Sequence, residues 1–330
     1  MNDFSRRILD WYAENARDLP WRRNTDPYAV WLSEIILQQT RIAQGTAYWH
    51  RFMERFPTVR DLADATEDEV LRLWEGLGYY SRARNLHAAA RQIVALGAFP
   101  DTLEGIRSLK GIGDYTAAAI GSICFGIPAA VVDGNVYRVL ARHFGISTPV
   151  GTTEAKKEFT LLAGKLLPEK EASAFNQGMM DFGALQCTPQ NPDCLTCPLQ
   201  ATCDAFRTGR THLLPLKKSA AKPREQRLNY VYVRFDGETA IRRRGPGDIW
   251  QGLYEPLVPD PAFVREASPV LLKAGVKHQL THRTLLADFY LWQPSSRPEL
   301  PEGYKWIKEA ELDKYAKPRL FELLLETIQP

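Results

Sequence analysis

Four cysteines fall in one short stretch, as Cys187-x6-Cys194-x2-Cys197-x5-Cys203. Four thiolates so spaced can hold a tetrahedral Zn²⁺ or a 4Fe-4S cluster, and thiolate count alone does not choose between them. In a reducing compartment such a group binds metal rather than forming disulfides. The fifth cysteine, Cys124, lies in the apolar run Ile123-Cys-Phe-Gly126 and reads as a small core residue.

Two carboxylates stand in contrasting surroundings. Glu34 shares a helical face with Val30, Trp31, Leu37 and Gln38, so desolvation raises its pKa and lets it carry a proton near neutral pH. Asp133, in Val132-Asp-Gly-Asn-Val-Tyr-Arg138, precedes a helix starting at Val136. There the helix N-terminus and Asn135 favour its ionised form. Taken singly, a buried ion-pair partner and a helix cap would account for the two residues.

Between them in sequence lies Leu109-Lys-Gly-Ile-Gly-Asp-Tyr-Thr-Ala-Ala-Ala-Ile120. Gly111 and Gly113 allow a turn that leaves successive N–H groups outward, and the Ala-rich run puts that turn at a helix N-terminus, where phosphate binds. A short apolar helix through Leu103, Ile106 and Leu109 completes a helix-hairpin-helix unit. Alone, a Gly-x-Gly reads more readily as a plain interhelical turn.

Other helices must position these groups. Apolar spacing predicts them over Phe4–Arg17, Tyr28–Thr40, Ile42–Phe56, Val59–Ala65, Glu67–Trp74, Arg82–Leu96, Val136–Phe144, Glu154–Leu166 and Ala172–Leu185. Leu19-Pro-Trp-Arg22 ends the first, Asp26-Pro27 opens the second, and Thr66 with Glu69 forms a capping box. Gly76-Leu-Gly-Tyr-Tyr80 is a loop able to present aromatic rings. With no strand pattern before residue 207, residues 1–206 form an all-α domain. Residues 207–227 read as a basic linker interrupted by Pro215 and Pro223.

Residues 228–330 form a smaller α+β domain. Strand patterns run over Leu228–Phe235, Thr239–Arg243, Gly252–Val258, Lys277–His282 and Leu285–Leu291, and helical patterns over Pro261–Gly275 and Arg319–Ile328. Lys and Arg number 42 against 39 Asp and Glu, so a nucleic-acid footprint must come from local clustering. No apolar run approaches membrane-spanning length, and the start of the chain has no signal-peptide core, so a cytoplasmic protein is expected.

The cysteine loop, the glycine turn and Val132-Asp-Gly-Asn135 resemble the endonuclease III superfamily of base-excision DNA glycosylases. So do Leu19-Pro-Trp21, Trp31-Leu-Ser-Glu-Ile-Ile-Leu-Gln-Gln-Thr40, Gly76-Leu-Gly-Tyr-Tyr80, Arg84-Asn-Leu86 and Phe175-Asn-Gln177. Within it the resemblance is to the family that removes adenine mispaired with 8-oxoguanine. It implies a helix-hairpin-helix glycosylase core with a 4Fe-4S cluster on Cys187, Cys194, Cys197 and Cys203. It also implies a monomer that acts on double-stranded DNA carrying an A·8-oxoguanine or A·G mispair.

Adenine leaves poorly as an anion, so the resemblance makes Glu34 the acid that protonates it. Asp133, beside Asn135, then stabilises the oxocarbenium-like sugar by charge or by transient covalent capture. Tyr115 stands where strand-cutting members carry a Schiff-base lysine, which implies a monofunctional enzyme leaving an abasic site. Leu19, Trp21, Arg22 and Gln177 are implied to line the adenine pocket. Gln39 and Tyr79 wedge into the duplex, Thr40 and Leu77 lie near the opposite base, and Lys110, Gly111 and Gly113 meet phosphate.

The second domain resembles the Nudix fold with which that family reads 8-oxoguanine. Leu280-Thr281-His282 stands at the family's Phe-Ser-His loop, with Thr281 and His282 as the readers. Arg265-Glu266 runs into Ala-Ser-Pro-Val instead of paired glutamates, so Mg²⁺-dependent pyrophosphate hydrolysis is not expected. Two rivals are a bifunctional glycosylase–lyase for oxidised pyrimidines and a non-catalytic protein that binds damage or carries a redox cluster. Tyr115 and the second domain oppose the first; intact Glu34 and Asp133 oppose the second.

Overall fold

The computed structural model describes residues 1–38, 40–218, 223–281 and 283–328. It divides into two units, Met1–Ala63 with Ala88–Ser219, and Asp64–His87 with Ala220–Pro330. The expected division at 206 and 228 differs from this in two ways: residues 64–87 join the second unit, and residues 207–218 stay with the first.

The helices before and through that excursion are α1 (Asp3–Asn15), α2 (Pro27–Ile36), α3 (Ile42–Arg55), α4 (Val59–Asp64), α5 (Glu67–Leu73) and α6 (Ser81–Leu96). After it come α7 (Leu103–Ser108), α8 (Asp114–Phe125), α9 (Gly134–Phe144), α10 (Thr153–Leu166), α11 (Ala172–Leu185) and α12 (Asp204–Arg207). α2 stops at Ile36 rather than Thr40, with Leu37 as its C-cap. The core of the first unit joins Phe4 and Ile8 of α1, Val139 and Leu140 of α9, and Phe175, Met179 and Phe182 of α11. α2 lies against α8, which carries Glu34 toward Tyr115.

The backbones of α9 and α11 meet closely at Gly183. A Cβ there would stand 2.5 Å from Asn135 Cβ and 3.1 Å from its backbone, so only glycine fits. Asn176, fully buried in α11, accepts from Val131 N–H at 3.1 Å and donates to Ala129 carbonyl at 2.8 Å and Ser122 Oγ at 3.0 Å. It thereby fixes the extended segment leading into Asp133. The expected basic linker is partly ordered into the first unit: Leu214 is buried, Lys217 bridges to Val150, and the next strand already begins at Arg224.

In the second unit β1 (Arg224–Val233) pairs in parallel with β5 (Arg283–Trp292), and β5 pairs antiparallel with β4 (Val270–Gln279). β2 (Glu238–Arg243) pairs antiparallel with β3 (Tyr254–Glu255) on one side and β6 (Tyr304–Lys308) on the other. The helices are α13 (Pro261–Ala267) and α14 (Arg319–Ile328). The helical pattern expected to Gly275 ends at Ala267, where Ser268 turns left-handed and β4 begins; β6 was not foreseen. α5 and the start of α6 join this unit through polar bonds. Arg243 reaches Glu67 and Asp68 at 3.0 and 3.1 Å, Arg84 donates to Gln251 carbonyl at 2.6 Å, and Lys317 N–H donates to Glu75 at 2.7 Å.

Replacing Gly183 with Ala should force α9 and α11 apart, at about 1–3 kcal/mol for an overpacked contact. For a unit of this size that lowers Tm by several degrees, roughly 2–4 °C per kcal/mol. A thermal melt equal to wild type would contradict the close approach.

Candidate active site

The glycine turn joins α7 to α8. Gly111 takes φ +79°, a left-handed value that requires glycine. Gly113 is extended and caps α8 without a side-chain bond. Two neighbouring N–H groups are used inside the protein: Lys110 donates to Gln92 Oε1 at 2.7 Å and Ile112 to Leu109 carbonyl at 3.1 Å. The expected cradle of successive outward N–H groups is therefore narrower than the glycine spacing suggested. Asp114 beside it accepts from Lys156 Nζ at 2.8 Å and lies 3.2 Å from Arg107 Nε. Gly111, Gly113 and Lys156 line an open groove of about 880 Å³.

One residue beyond Asp114, Tyr115 also borders a second cavity of about 540 Å³. That cavity brings together Glu34, Asp133, Asn135, Leu19, Trp21, Arg22 and Gln177, with Thr40 also on its wall. Tyr115 hydroxyl donates to Glu34 Oε2 at 2.9 Å. Burial pushes the Glu34 carboxyl up to about 7; Tyr115 opposes the rise, Asp133 adds to it, and Arg22 opposes it. The tyrosine is held protonated by the same burial and by the facing carboxylates.

Asp133 caps α9 through Val136 N–H at 2.8 Å and receives Asn135 Nδ2 at 2.8 Å. Those bonds favour its ionised form, as the sequence suggested, but burial outweighs them and its pKa lies above the ordinary carboxylate value. The expected net lowering is thus corrected. Asp133 nonetheless has several donors to Glu34's one, so it is the better placed of the two to hold a charge.

Arg138 extends this arrangement. Its Nη2 donates to Asn135 Oδ1 at 2.8 Å and Gly183 carbonyl at 2.6 Å, and its Nε to Cys187 carbonyl at 2.8 Å. The carboxylate is thereby tied to the cysteine loop. Cys187, Cys194, Cys197 and Cys203 line one small pocket with Arg142. Arg142, buried on α9, donates to Cys187 Sγ at 3.4 Å and to the Thr188, Pro189 and Leu214 carbonyls. Among the described residues no three ligating side chains converge tightly enough for a single ion.

Arg22 and Gln177 border the cavity in different states. Arg22 donates Nη1 and Nη2 to Asp181 at 2.7 and 2.9 Å. Gln177 Nε2 donates to Ser173 Oγ at 3.1 Å, while its buried Oε1 has no partner. Leu77 is buried. Tyr79 is half exposed, has φ +47°, and its hydroxyl bonds Thr281 Oγ1 at 2.5 Å. Gln39 and His282 lie outside the described residues.

Sequence reading missed Arg17, Asp181, Arg138 and Arg142. The available signal was an acid inside the apolar Met179-Met-Asp-Phe182 and two buried arginines four residues apart in α9.

The helical pair, its glycine turn and the downstream aspartate define the class of base-excision DNA glycosylases. The HhH-GPD superfamily base excision DNA repair protein family matches residues 32–165, and the NUDIX domain family matches residues 229–327. An adenine DNA glycosylase of Buchnera aphidicola subsp. Acyrthosiphon pisum is 37% identical over 255 residues, covering 76% of this chain and 73% of its own length. One of Homo sapiens is 44% identical over 213 residues, covering 61% and 39%. The solved structure of a thermostable thymine-DNA glycosylase superposes with TM-score 0.58 at 31% identity, over 62% of this chain and 95% of its own. The chain belongs to the adenine DNA glycosylase family.

Glu34 keeps its proton to about pH 7 when folded, against an ordinary value of 4.5. Between those values the unfolded chain has released a proton that the folded chain still holds, so stability falls as pH rises from about 4.5 to 7 and then levels. The loss is at most about 3 kcal/mol. Glu34→Gln removes it, so thermal melts should place this variant several degrees above wild type at pH 8 and near it at pH 5. Equal melting at both pH values would contradict the burial of the carboxyl.

Proposed function

We propose that this chain hydrolyses the N-glycosidic bond of adenine opposite 8-oxoguanine or guanine in duplex DNA and leaves an abasic site. The observation that carries the reading is the cavity shared by Glu34, Tyr115 and Asp133 beneath an apolar and aromatic wall of Leu19 and Trp21. A flipped adenine stacks on Trp21, and the unpartnered Gln177 Oε1 accepts from its exocyclic amine. Glu34, protonated near neutral pH, delivers its proton to the base as the bond to the sugar lengthens. Asp133, held by Val136 N–H and Asn135, faces the positive charge developing on the sugar. Glu34, now ionised, activates water.

Tyr115 carries no amine, and its hydroxyl is engaged with Glu34. No Schiff base forms at this position, which favours the monofunctional reading. The strained, half-exposed Tyr79 suits a side chain inserted into the duplex. Lys110 and the glycine turn meet phosphate, and the Nudix-like unit reads the base opposite adenine through Thr281 and His282.

The four cysteines suit a 4Fe-4S cluster. All four line one small pocket, a thiolate count that a 4Fe-4S cluster uses. Cys187, Cys194, Cys197 and Cys203 would hold such a cluster, which would clamp the loop they span. Arg142 donates to Cys187 Sγ from the wall of that pocket.

Single-turnover incubation with an A·8-oxoguanine duplex should give alkali-labile abasic product, and borohydride should trap no protein–DNA adduct. Its rate should fall as pH rises through about 7, where Glu34 loses its proton. Glu34→Gln should slow excision by about 10²–10⁴-fold while retaining duplex binding. No abasic product, or borohydride trapping, would overturn the reading. Iron and sulfide analysis of anaerobically purified protein should find about four of each per chain; stoichiometric zinc would replace the cluster.

A further inference from the structure

Asp181 lies fully buried on α11. It accepts from Arg17 N–H at 3.1 Å, Arg17 Nε at 2.8 Å and Arg17 Nη2, and bidentately from Arg22 at 2.7 and 2.9 Å. Arg22 borders the same cavity as Glu34. A guanidinium there has two carboxylates to choose between. If it turned to Glu34, the pair would hold Glu34 ionised and leave no proton for the base.

We propose that Asp181 is a positioning residue that sequesters Arg22, so that Glu34 stays available as an acid. The inference rests on the adenine-excising reading. Geometry supports it in two ways. Both terminal nitrogens of Arg22 are bound to Asp181 in a fork that lysine could not reproduce. Arg17 binds the same carboxylate from a second direction, so Asp181 keeps its charge and its orientation. The charged and titratable groups acting on Glu34 are Tyr115 from α8, Asp133 at the start of α9 and Arg22 from the Pro20–Arg22 turn. Cys124 on α8 also feels its charge. Arg17 also borders the cavity, but of the groups acting on Glu34 only Arg22 is a cation, so its placement decides whether Glu34 is paired.

The test is the pH dependence of single-turnover adenine release from an A·8-oxoguanine duplex by the cluster-containing protein. Asp181→Asn frees Arg22, and an opposite charge within reach lowers a carboxyl by about 1–3 pKa units. The basic limb of the rate profile should therefore move down by about one unit or more, a loss of about tenfold at pH 8 per unit moved. The double variant D181N/R22M should return the limb to its wild-type position.

A uniform rate loss with the limb unmoved in D181N would make Asp181 merely structural and overturn the proposal. Should D181N fail to fold, Arg22→Met alone decides. A limb within about half a unit of wild type supports sequestration, because Arg17 still satisfies Asp181. A limb raised by a unit or more means that Arg22 already pairs with Glu34, and overturns it. If wild type releases no adenine, the functional reading fails; if wild type releases it and only the variants behave otherwise, this inference fails alone.

Discussion

The first unit is arranged around a shortage of water at two carboxyl groups. Glu34 and Asp133 face one cavity, and each is pushed toward its neutral form by burial. What separates them is the number of donors. Asp133 has a helix N-terminus, an asparagine and a nearby arginine, whereas Glu34 has one tyrosine hydroxyl. Burial is therefore opposed more strongly at Asp133 than at Glu34, the asymmetry that acid-assisted departure of a base with charge stabilisation of the sugar uses.

That asymmetry depends on packing some distance from the carboxyls. Gly183 lets α11 touch α9 at Asn135, Asn176 pins the segment entering Asp133, and Arg138 ties Asn135 to the cysteine loop. A substitution at any of these disturbs the frame that holds Asp133 without changing Asp133 itself. The cysteine loop is thus more than an appended binding module: its Cys187 carbonyl is one end of the chain of hydrogen bonds that terminates on Asp133.

Local signals made most of the helical unit legible. The capping box at Thr66, the Asp26-Pro27 start and the helix over 172–185 all appear where propensity and caps place them. Glu34 was legible because an acid on an apolar face must either pair or shift. Asp133 was only half legible: its cap could be read from Val132-Asp-Gly-Asn135, but the burial that outweighs the cap comes from elements distant in sequence that share its cavity. Asp181, Arg17 and Arg138 escaped for the same reason, since their partners lie about 50 to 160 positions away. The second unit was harder. The first half of strand β4 is exposed on both faces and has no regular alternation to read, and residues 64–87 join that unit through polar bonds no periodicity encodes.

The central claim is that one carboxyl in this cavity holds its proton near neutrality. ¹³C NMR of the protein labelled at glutamate side-chain carboxyls, with the Glu34 resonance assigned by its loss in Glu34→Gln, measures this without any substrate. The account predicts a Glu34 titration centred near pH 7. A midpoint in the ordinary range near 4.5 would contradict it.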